Sequence, residues 1–357
     1  MKRSVLQRIL RLFPAETTHK LHMALLGCAS KLPTGKWWLR HNLCPRHKEL
    51  QREVFGVHFR NPIGIAAGFD PNGDYIDRLD GVGFGFVEIG AVVAHPQPGT
   101  PRPRLERLRS KSSFIDRSGY PSRGLEYVLN NVRHRKSSKD GIVIGCNISK
   151  CTATPPQDIV KEYLRVFRNM YQYVDYFAIN IVCNSSTKRF MPTSREEILD
   201  IIEPLFEFRR GQLDYRPILL KISPDLSDEL LDEVIAILIE TPLDGIEAVS
   251  GSLNLSATGE GAVCGAALTE RAIEVVRHIA KRTEGNYPII GCGGMMQPED
   301  VRRMMEAGAS LVALNSGVRE NGFRLLRHAA DSLVAPAEEV ETPSQEPTNE
   351  QNVENAQ

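Results

Sequence analysis

Pro288-Ile289-Ile290-Gly291-Cys292-Gly293-Gly294 and Ser310-Leu311-Val312-Ala313-Leu314-Asn315-Ser316-Gly317 are two apolar runs, each ending in a polar turn with glycine. Between them, residues 298–307 carry a helical pattern. Strand, helix, strand in this order is the parallel βα unit, whose strands read as near-continuous apolar runs because helices cover the sheet. The same unit recurs back to residue 63. Strands are expected at 63–67, 86–92, 142–147, 176–181, 218–222, 245–249, 288–291 and 310–314, after a short hairpin at 53–59. Helices are expected at 75–79, 124–135, 156–173, 195–210, 227–239, 269–282, 298–307 and 323–333. Two of these have clear starts, Ser194 before Glu196-Glu197 and Ser227 before Asp228-Glu229. Eight units predict an α/β fold, a (β/α)8 TIM barrel; a doubly wound open sheet is the alternative.

In such a barrel the chemistry sits where the strands end. Those ends read Ala67-Gly68-Phe69-Asp70, Gly90-Ala91, Asn147, Asn180 with Cys183, Lys221, Ser250-Gly251, Gly293-Gly294 and Asn315-Ser316-Gly317. Glycine-rich turns after strands seven and eight are where barrels bind phosphate through backbone N–H groups. Gly81-Val82-Gly83-Phe84-Gly85 instead precedes a strand, so it reads as a helix-ending turn and not a dinucleotide fingerprint.

A chain of 357 residues with zero formal net charge is long enough for one large core and gives no sign of nucleic-acid binding. Charge is unevenly spread. Residues 1–48 hold many Lys and Arg with Glu16 as the only acid, whereas residues 336–357 hold Glu but no Lys or Arg. Three parts follow: an N-terminal helical extension (1–48), the barrel (49–334) and an acidic tail (335–357) expected to be disordered. Seven cysteines, mostly inside apolar runs, read as reduced thiols of a cytoplasmic protein; no set has zinc-ligand spacing, and no metal is expected. No segment is long and apolar enough to span a bilayer. Residues 2–13 and 18–32, with Trp37-Trp38 beyond, combine apolar and basic side chains, as a peripheral contact with the inner face of the cell membrane requires. A helical hairpin packed on its own domain is the alternative.

Taken in order, several segments resemble the quinone-dependent (class 2) dihydroorotate dehydrogenases over about residues 3–334. They are Asn61-Pro62-Ile63-Gly64-Ile65-Ala66-Ala67-Gly68-Phe69-Asp70, Glu88-Ile89-Gly90, Pro96-Gln97-Pro98-Gly99, Pro103-Arg104-Leu105, Ala178-Ile179-Asn180-Ile181, Lys221-Ile222-Ser223-Pro224-Asp225-Leu226-Ser227 and Ala307-Gly308-Ala309-Ser310-Leu311-Val312, with the 288–294 run quoted above. The resemblance implies an FMN oxidoreductase of pyrimidine biosynthesis that oxidises dihydroorotate and passes the electrons to a quinone entering between the N-terminal helices. It implies that Ala67 and Gly68 lie against the flavin, that Asn147 and Asn180 hydrogen-bond it, and that Lys221 faces the charge of its reduced form. It also implies that Gly265, Gly293, Gly294, Asn315 and Ser316 hold the phosphate and ribityl end. For the glycines a turn with positive φ, and for Lys221 a buried ion pair, are the other readings.

The substrate side departs from the family pattern. Pro71 stands where the family has lysine, and Asp116-Arg117-Ser118-Gly119-Tyr120-Pro121-Ser122 where it has Asn-Arg-Met-Gly-Phe-Asn-Asn. Ser185 and Ser250 replace two asparagines. The expected substrate contacts are therefore Asp116, Gly119, Tyr120, Asn180, Ser185 and Ser250. Cys183 is the expected catalytic base. The quinone-linked class usually has serine there and the soluble class cysteine, and a thiol, with a reference pKa of about 8.5, ionises far more easily than an alcohol. A buried cysteine without a role is the alternative at Cys183. For the whole chain, the rivals are a paralogue acting on another substrate and a non-catalytic scaffold.

Overall fold

The computed structural model describes residues 13–108, 112–135, 141–184, 189–190, 192, 194–256 and 260–334; the side chains of 183–184 and 189–190 are not among them. The expected apolar and basic stretch 2–13, apart from Phe13 itself, and the acidic tail lie outside the described residues, as does Ser185.

Two helices come first, α1 (Ala15–Lys31) and α2 (Pro33–Leu43), then a hairpin of β1 (Arg52–Val54) and β2 (Val57–Phe59). The barrel starts at β3 (Ile63–Asp70), followed by α3 (Ile76–Val82) and β4 (Phe86–Val92). After β5 (Leu105–Leu108) and β6 (Ser113–Asp116) come α4 (Leu125–Arg133), β7 (Val143–Ile148), α5 (Ile159–Met170) and β8 (Tyr176–Asn180). A two-residue pair, β9 (Cys183–Asn184) and β10 (Arg189–Phe190), leads to α6 (Arg195–Arg210), β11 (Ile218–Ile222), α7 (Asp228–Glu240) and β12 (Gly245–Ala248). The chain closes with β13 (Ala262–Gly265), α8 (Thr269–Arg282), β14 (Ile289–Cys292), α9 (Pro298–Glu306), β15 (Leu311–Leu314), α10 (Ser316–Asn321) and α11 (Arg324–Val334).

Eight strands close the barrel in the order β3-β4-β7-β8-β11-β12-β14-β15 and back to β3, all parallel. They are the eight strands read from sequence, and the open sheet is excluded. Helices begin where capping chemistry predicts: Ser194 Oγ accepts the Glu197 N–H at 3.4 Å, and Ser227 Oγ that of Leu230 at 3.3 Å. Gly83 ends α3 at φ +102°, the left-handed turn that glycine adopts without strain.

Two apolar layers hold the barrel. The larger lies between strands and helices, and the smaller groups Phe59, Phe86, Tyr176, Leu219, Ile290 and Leu311 with their neighbours. The β1–β2 hairpin packs on the latter: Phe59 meets Phe86 edge-on at 5.8 Å, and Phe55 lies 5.8 Å from Tyr176. Near the strand ends a three-stranded antiparallel sheet, β5-β6-β13, is added. Helix α1 is fastened by Arg78, whose Nη1 donates to Met23 O at 2.8 Å, and by Arg107, whose Nη2 donates to Thr18 Oγ1 at 3.1 Å. Leu25 (57 % exposed), Trp37 (65 %), Trp38 (46 %) and Leu32 face outward on this helical pair.

Candidate active site

A cavity of about 970 Å³ opens at the C-terminal ends of the strands. Its floor is made by Asn147, Asn180 and Lys221, and one wall by Gly293, Gly294, Asn315 and Ser316. Ala67 and Gly68 line it beside β3, while Asp116, Gly119, Tyr120 and Ser250 line another side together with Pro71. Helix α1 contributes Glu16, His19 and Lys20. The predicted site residues thus converge, with three qualifications. Gly265 is not part of the lining: a Cβ there would meet Ser112 O and Ser113 Cα at 2.8 Å, so its φ of +88° serves the close approach of β13 to the backbone at β6. The Cys183 backbone follows β8 closely, but its side chain and Ser185 lie outside the described residues.

Lys221 forms the buried ion pair and also lines the cavity. Its ammonium lies 2.6 Å from Glu247 Oε1 and 3.2 Å from Glu88 Oε1, and the same side chain reaches the cavity. Burial acts to lower its pKa, but the two carboxyls outweigh burial and raise it, so it is a fixed cation. Asn147 Nδ2 donates to Glu88 Oε1 at 3.0 Å, which fixes the amide and leaves Asn147 Oδ1 buried without a partner among the described residues. An orphaned buried acceptor in a cavity wall calls for a donor on the ligand. Asn180 is oriented from the opposite sense. Its Oδ1 accepts the Val182 N–H at 3.1 Å and its backbone carbonyl accepts from the Tyr163 hydroxyl at 2.6 Å, so the amide nitrogen is the end left for the cavity.

Gly293 and Gly294 have φ of +105° and +80°. A Cβ on Gly294 would sit 2.4 Å from Thr269 Cα, so the turn packs directly on the start of α8. Asn315 and Arg319 hold the β3 end from the other side. Asn315 Nδ2 donates to Ala67 O at 3.0 Å, Arg319 Nη2 to Gly68 O at 2.8 Å, and Arg319 Nε to Asn315 Oδ1 at 2.7 Å. A Cβ on Gly68 would meet only Asn315 Nδ2, at 3.6 Å, and would otherwise project into free space. A bare backbone beside a cavity lets a flat ring approach closely.

On the side of the cavity lined by Asp116 and Tyr120, Asp116 Oδ1 accepts the Ser118 N–H at 2.7 Å and shapes the turn carrying Gly119 and Tyr120, and the Tyr120 hydroxyl donates to Val182 O at 3.0 Å. Tyr120 thus bridges this turn to the end of β8. Asp70, buried beside Pro71, fixes the turn that precedes α3 by accepting N–H groups of Asp74 and Tyr75, both at 2.8 Å; burial nevertheless pushes its pKa up to about 6. His19 lies edge-on to Phe69 at 4.5 Å, and burial, with Arg319 nearby, lowers its pKa to about 2.

Three groups escaped the sequence reading. Glu247 had a visible signal, an acid inside the apolar run 245–249. Arg319 and the α1 residues had none, because they reach the cavity only through packing across elements. Among the described residues no cluster of metal-ligating side chains occurs and no helix is long and apolar enough to cross a membrane.

Comparison with known proteins agrees with this geometry. The family model for dihydroorotate dehydrogenase matches residues 49–335. Curated relatives named dihydroorotate dehydrogenase (quinone) include one from Christiangramia forsetii, 34 % identical over 92 % of this chain and 97 % of its own. Another, from Methylobacillus flagellatus, is 37 % identical over 79 % of this chain and 86 % of its own. The solved structure of ligand-free DHODH from Eimeria tenella superposes with a TM-score of 0.77 at 25 % identity, covering 89 % of this chain and 93 % of that one.

Proposed function

The chain belongs to the dihydroorotate dehydrogenase family, and from that premise we propose that it oxidises dihydroorotate to orotate with bound FMN and a quinone as final acceptor. The observation that carries this reading is the cavity floor: the unpartnered acceptor of Asn147, the donor end of Asn180 and the Lys221 ammonium converge under one open space. A flavin's conjugated N–C=O edge presents donors and acceptors to match such a set, and the residues fit the group. Gly293 and Gly294, at the end of β14, would hold its phosphate with backbone N–H groups. Bound FMN would supply the two-electron acceptor for the hydride.

The chain's own residues do the rest. Asn147 and Lys221 would hold the ring, and the Lys221 ammonium would supply a cation to offset the negative charge gained on reduction. Cys183 is proposed as the base that removes the substrate's acidic C–H proton, which a thiolate does near neutral pH with less assistance than an alkoxide. Tyr120, tied to Val182, closes the cavity next to the end of β8. The quinone would reach the flavin past α1, whose Glu16, His19 and Lys20 already form part of the wall. Apolar side chains left outward on α1 and α2, among the basic Lys20, Lys31 and Lys36, support contact with an anionic lipid surface, where quinones reside.

Anaerobic addition of dihydroorotate to the purified yellow protein tests the reading. Bleaching of the flavin band, reversed by a short-chain benzoquinone, is the expected result, and Cys183→Ala slows the bleaching. A yellow protein that stays oxidised overturns the substrate, pointing to another that tolerates Pro71 and Asp116. A protein without flavin absorbance overturns the cofactor as well.

A further inference from the structure

Beneath the cavity floor lie two acids and one base. Glu88 on β4 and Glu247 on β12 are fully buried and share the Lys221 ammonium from β11. Lys221 with Glu88 alone would be a charge-balanced pair. Glu247 adds a second carboxyl to the same ammonium, and its Oε2 is buried with no donor to meet it among the described residues. Two carboxyls crowded in a low-dielectric site ionise together only at a large cost that one bound proton relieves, so the pair is where this cluster can take up a proton. The groups facing the pair from every neighbouring strand are accounted for: Lys221 from β11, Cys292 from β14, Tyr176 from β8, and Asn147 with Cys146 from β7. Burial pushes the Cys292 thiol up to about 12 and raises Cys146 and Tyr176, so these stay neutral. Burial and the Glu88 charge raise the pKa of Glu247, against the opposing pull of Lys221. The two thiols and the phenol therefore do not contribute to the proton count of this cluster.

We propose that Glu88 and Glu247 form a redox-linked proton site: two-electron reduction of the flavin above Lys221 and Asn147 is accompanied by uptake of one proton onto this carboxyl pair, and reoxidation by its release. The inference rests on the flavin reading of the cavity. Hydride transfer brings the flavin two electrons and one proton, which leaves it one unit more negative. One solvent proton then forms an O–H bond at the pair and cancels that charge. On reoxidation the two electrons leave for the acceptor, the O–H bond breaks and the proton returns to solvent. Lys221 is the member that touches the cavity, so exchange runs through its ammonium protons. Neither carboxyl touches the reacting atoms; both act on the flavin through charge.

The test is the pH dependence of the flavin midpoint potential in the holoprotein and in Glu247→Gln, measured by spectroelectrochemistry from pH 6 to 9. Glutamine keeps the shape and the neutral charge of the protonated acid but binds no proton. One proton coupled to two electrons shifts the potential about 30 mV per pH unit. The wild type should fall by about 60 mV per pH unit, one proton from the hydride and one at the pair, and Glu247→Gln by about 30 mV. A residue with a merely structural role would shift both lines without changing a slope. Equal slopes in two yellow proteins overturn the inference alone. If the variant does not retain flavin, the wild-type slope decides: about 30 mV per pH unit overturns the proposal. A wild type that takes up no flavin overturns the reading of the site and this inference with it.

Discussion

Acidification should undock helix α1 from the barrel before the barrel itself unfolds. The perturbation acts on His19, which packs edge-on against Phe69 and Tyr75 at 4.5 and 5.9 Å. Burial, then Arg319, then other nearby cations lower its pKa from 6.5 to about 2. The docked state therefore holds His19 neutral, while an undocked α1 binds a proton below pH 6.5. More protons on the open state means that docking stability rises with pH, is fully present above 6.5 and is lost as pH falls below it. Each pH unit removes about 1.4 kcal/mol, which amounts to about 2 kcal/mol at pH 5. His22, also lowered by burial and by Arg107, acts in the same direction. Amide exchange measures the effect: protection of α1, corrected for intrinsic rates, should fall about thirty-fold between pH 6.5 and 5 while β15 keeps its own. Glu16, His19 and Lys20 leave the cavity wall in the same step, so access to the site should rise together with exchange. His19→Gln removes the titration and should flatten the α1 response, leaving the smaller contribution of His22. Equal losses in wild type and His19→Gln refute the argument.

Other perturbations separate the roles of the site residues. Lys221→Met leaves two buried carboxyls without their cation and should cost about 3–5 kcal/mol of unfolding free energy by urea titration, part of it recovered by adding Glu247→Gln. Gly294→Ala combines a left-handed φ of +80° with a Cβ placed 2.4 Å from Thr269 Cα. Backbone strain of about 1–3 kcal/mol should open the β14–α8 turn and lower flavin content while far-ultraviolet circular dichroism stays unchanged. Trp37→Ser with Trp38→Ser removes two exposed interfacial side chains and should weaken sedimentation with anionic vesicles, with little effect on flavin reduction by dihydroorotate. Unchanged vesicle binding would assign these side chains to the protein's own packing.

The barrel was legible because each strand is a local apolar run bounded by turn residues, and because helices such as Arg195–Arg210 and Asp228–Glu240 carry both a cap and a buried apolar face. The β5-β6-β13 sheet was not. Its strands have four residues each, mix polarity as Leu105-Glu106-Arg107-Leu108 does, and pair Phe114 with Cys264 across a long stretch of chain. Non-local pairing of short strands leaves no periodic trace. The same division runs through the site. Residues at strand ends were readable because the barrel itself defines where ends go, whereas Gly265 was placed with the phosphate although its conformation serves β13 packing. Glu247 could be seen as an oddity but not interpreted, since its meaning depends on Glu88 and Lys221 arriving from other strands.

Charge explains how the unusual residues fit together. Replacing a lysine with Pro71 appears, from the sequence, to strip the cavity of a cation where an anionic ring must bind. The structure supplies one nearby: Arg319, one helical turn beyond Asn315, lies 4.9 Å from the Phe69 ring and donates to Gly68 O at the mouth of the same strand. Its guanidinium has five donors, and two of its nitrogens are committed to Asn315 and Gly68. Asp116 lines the same cavity, and its charge acts on Arg319 to favour the cation, against the burial that opposes it. The cavity lining thus holds an acid and a base, Asp116 and Arg319, besides the Lys221 ammonium that two buried acids share. With FMN in the cavity as proposed, Arg319 and Asp116 would bear on substrate choice and Glu88, Lys221 and Glu247 on the electron affinity of the flavin, so that changes in one group need not disturb the other.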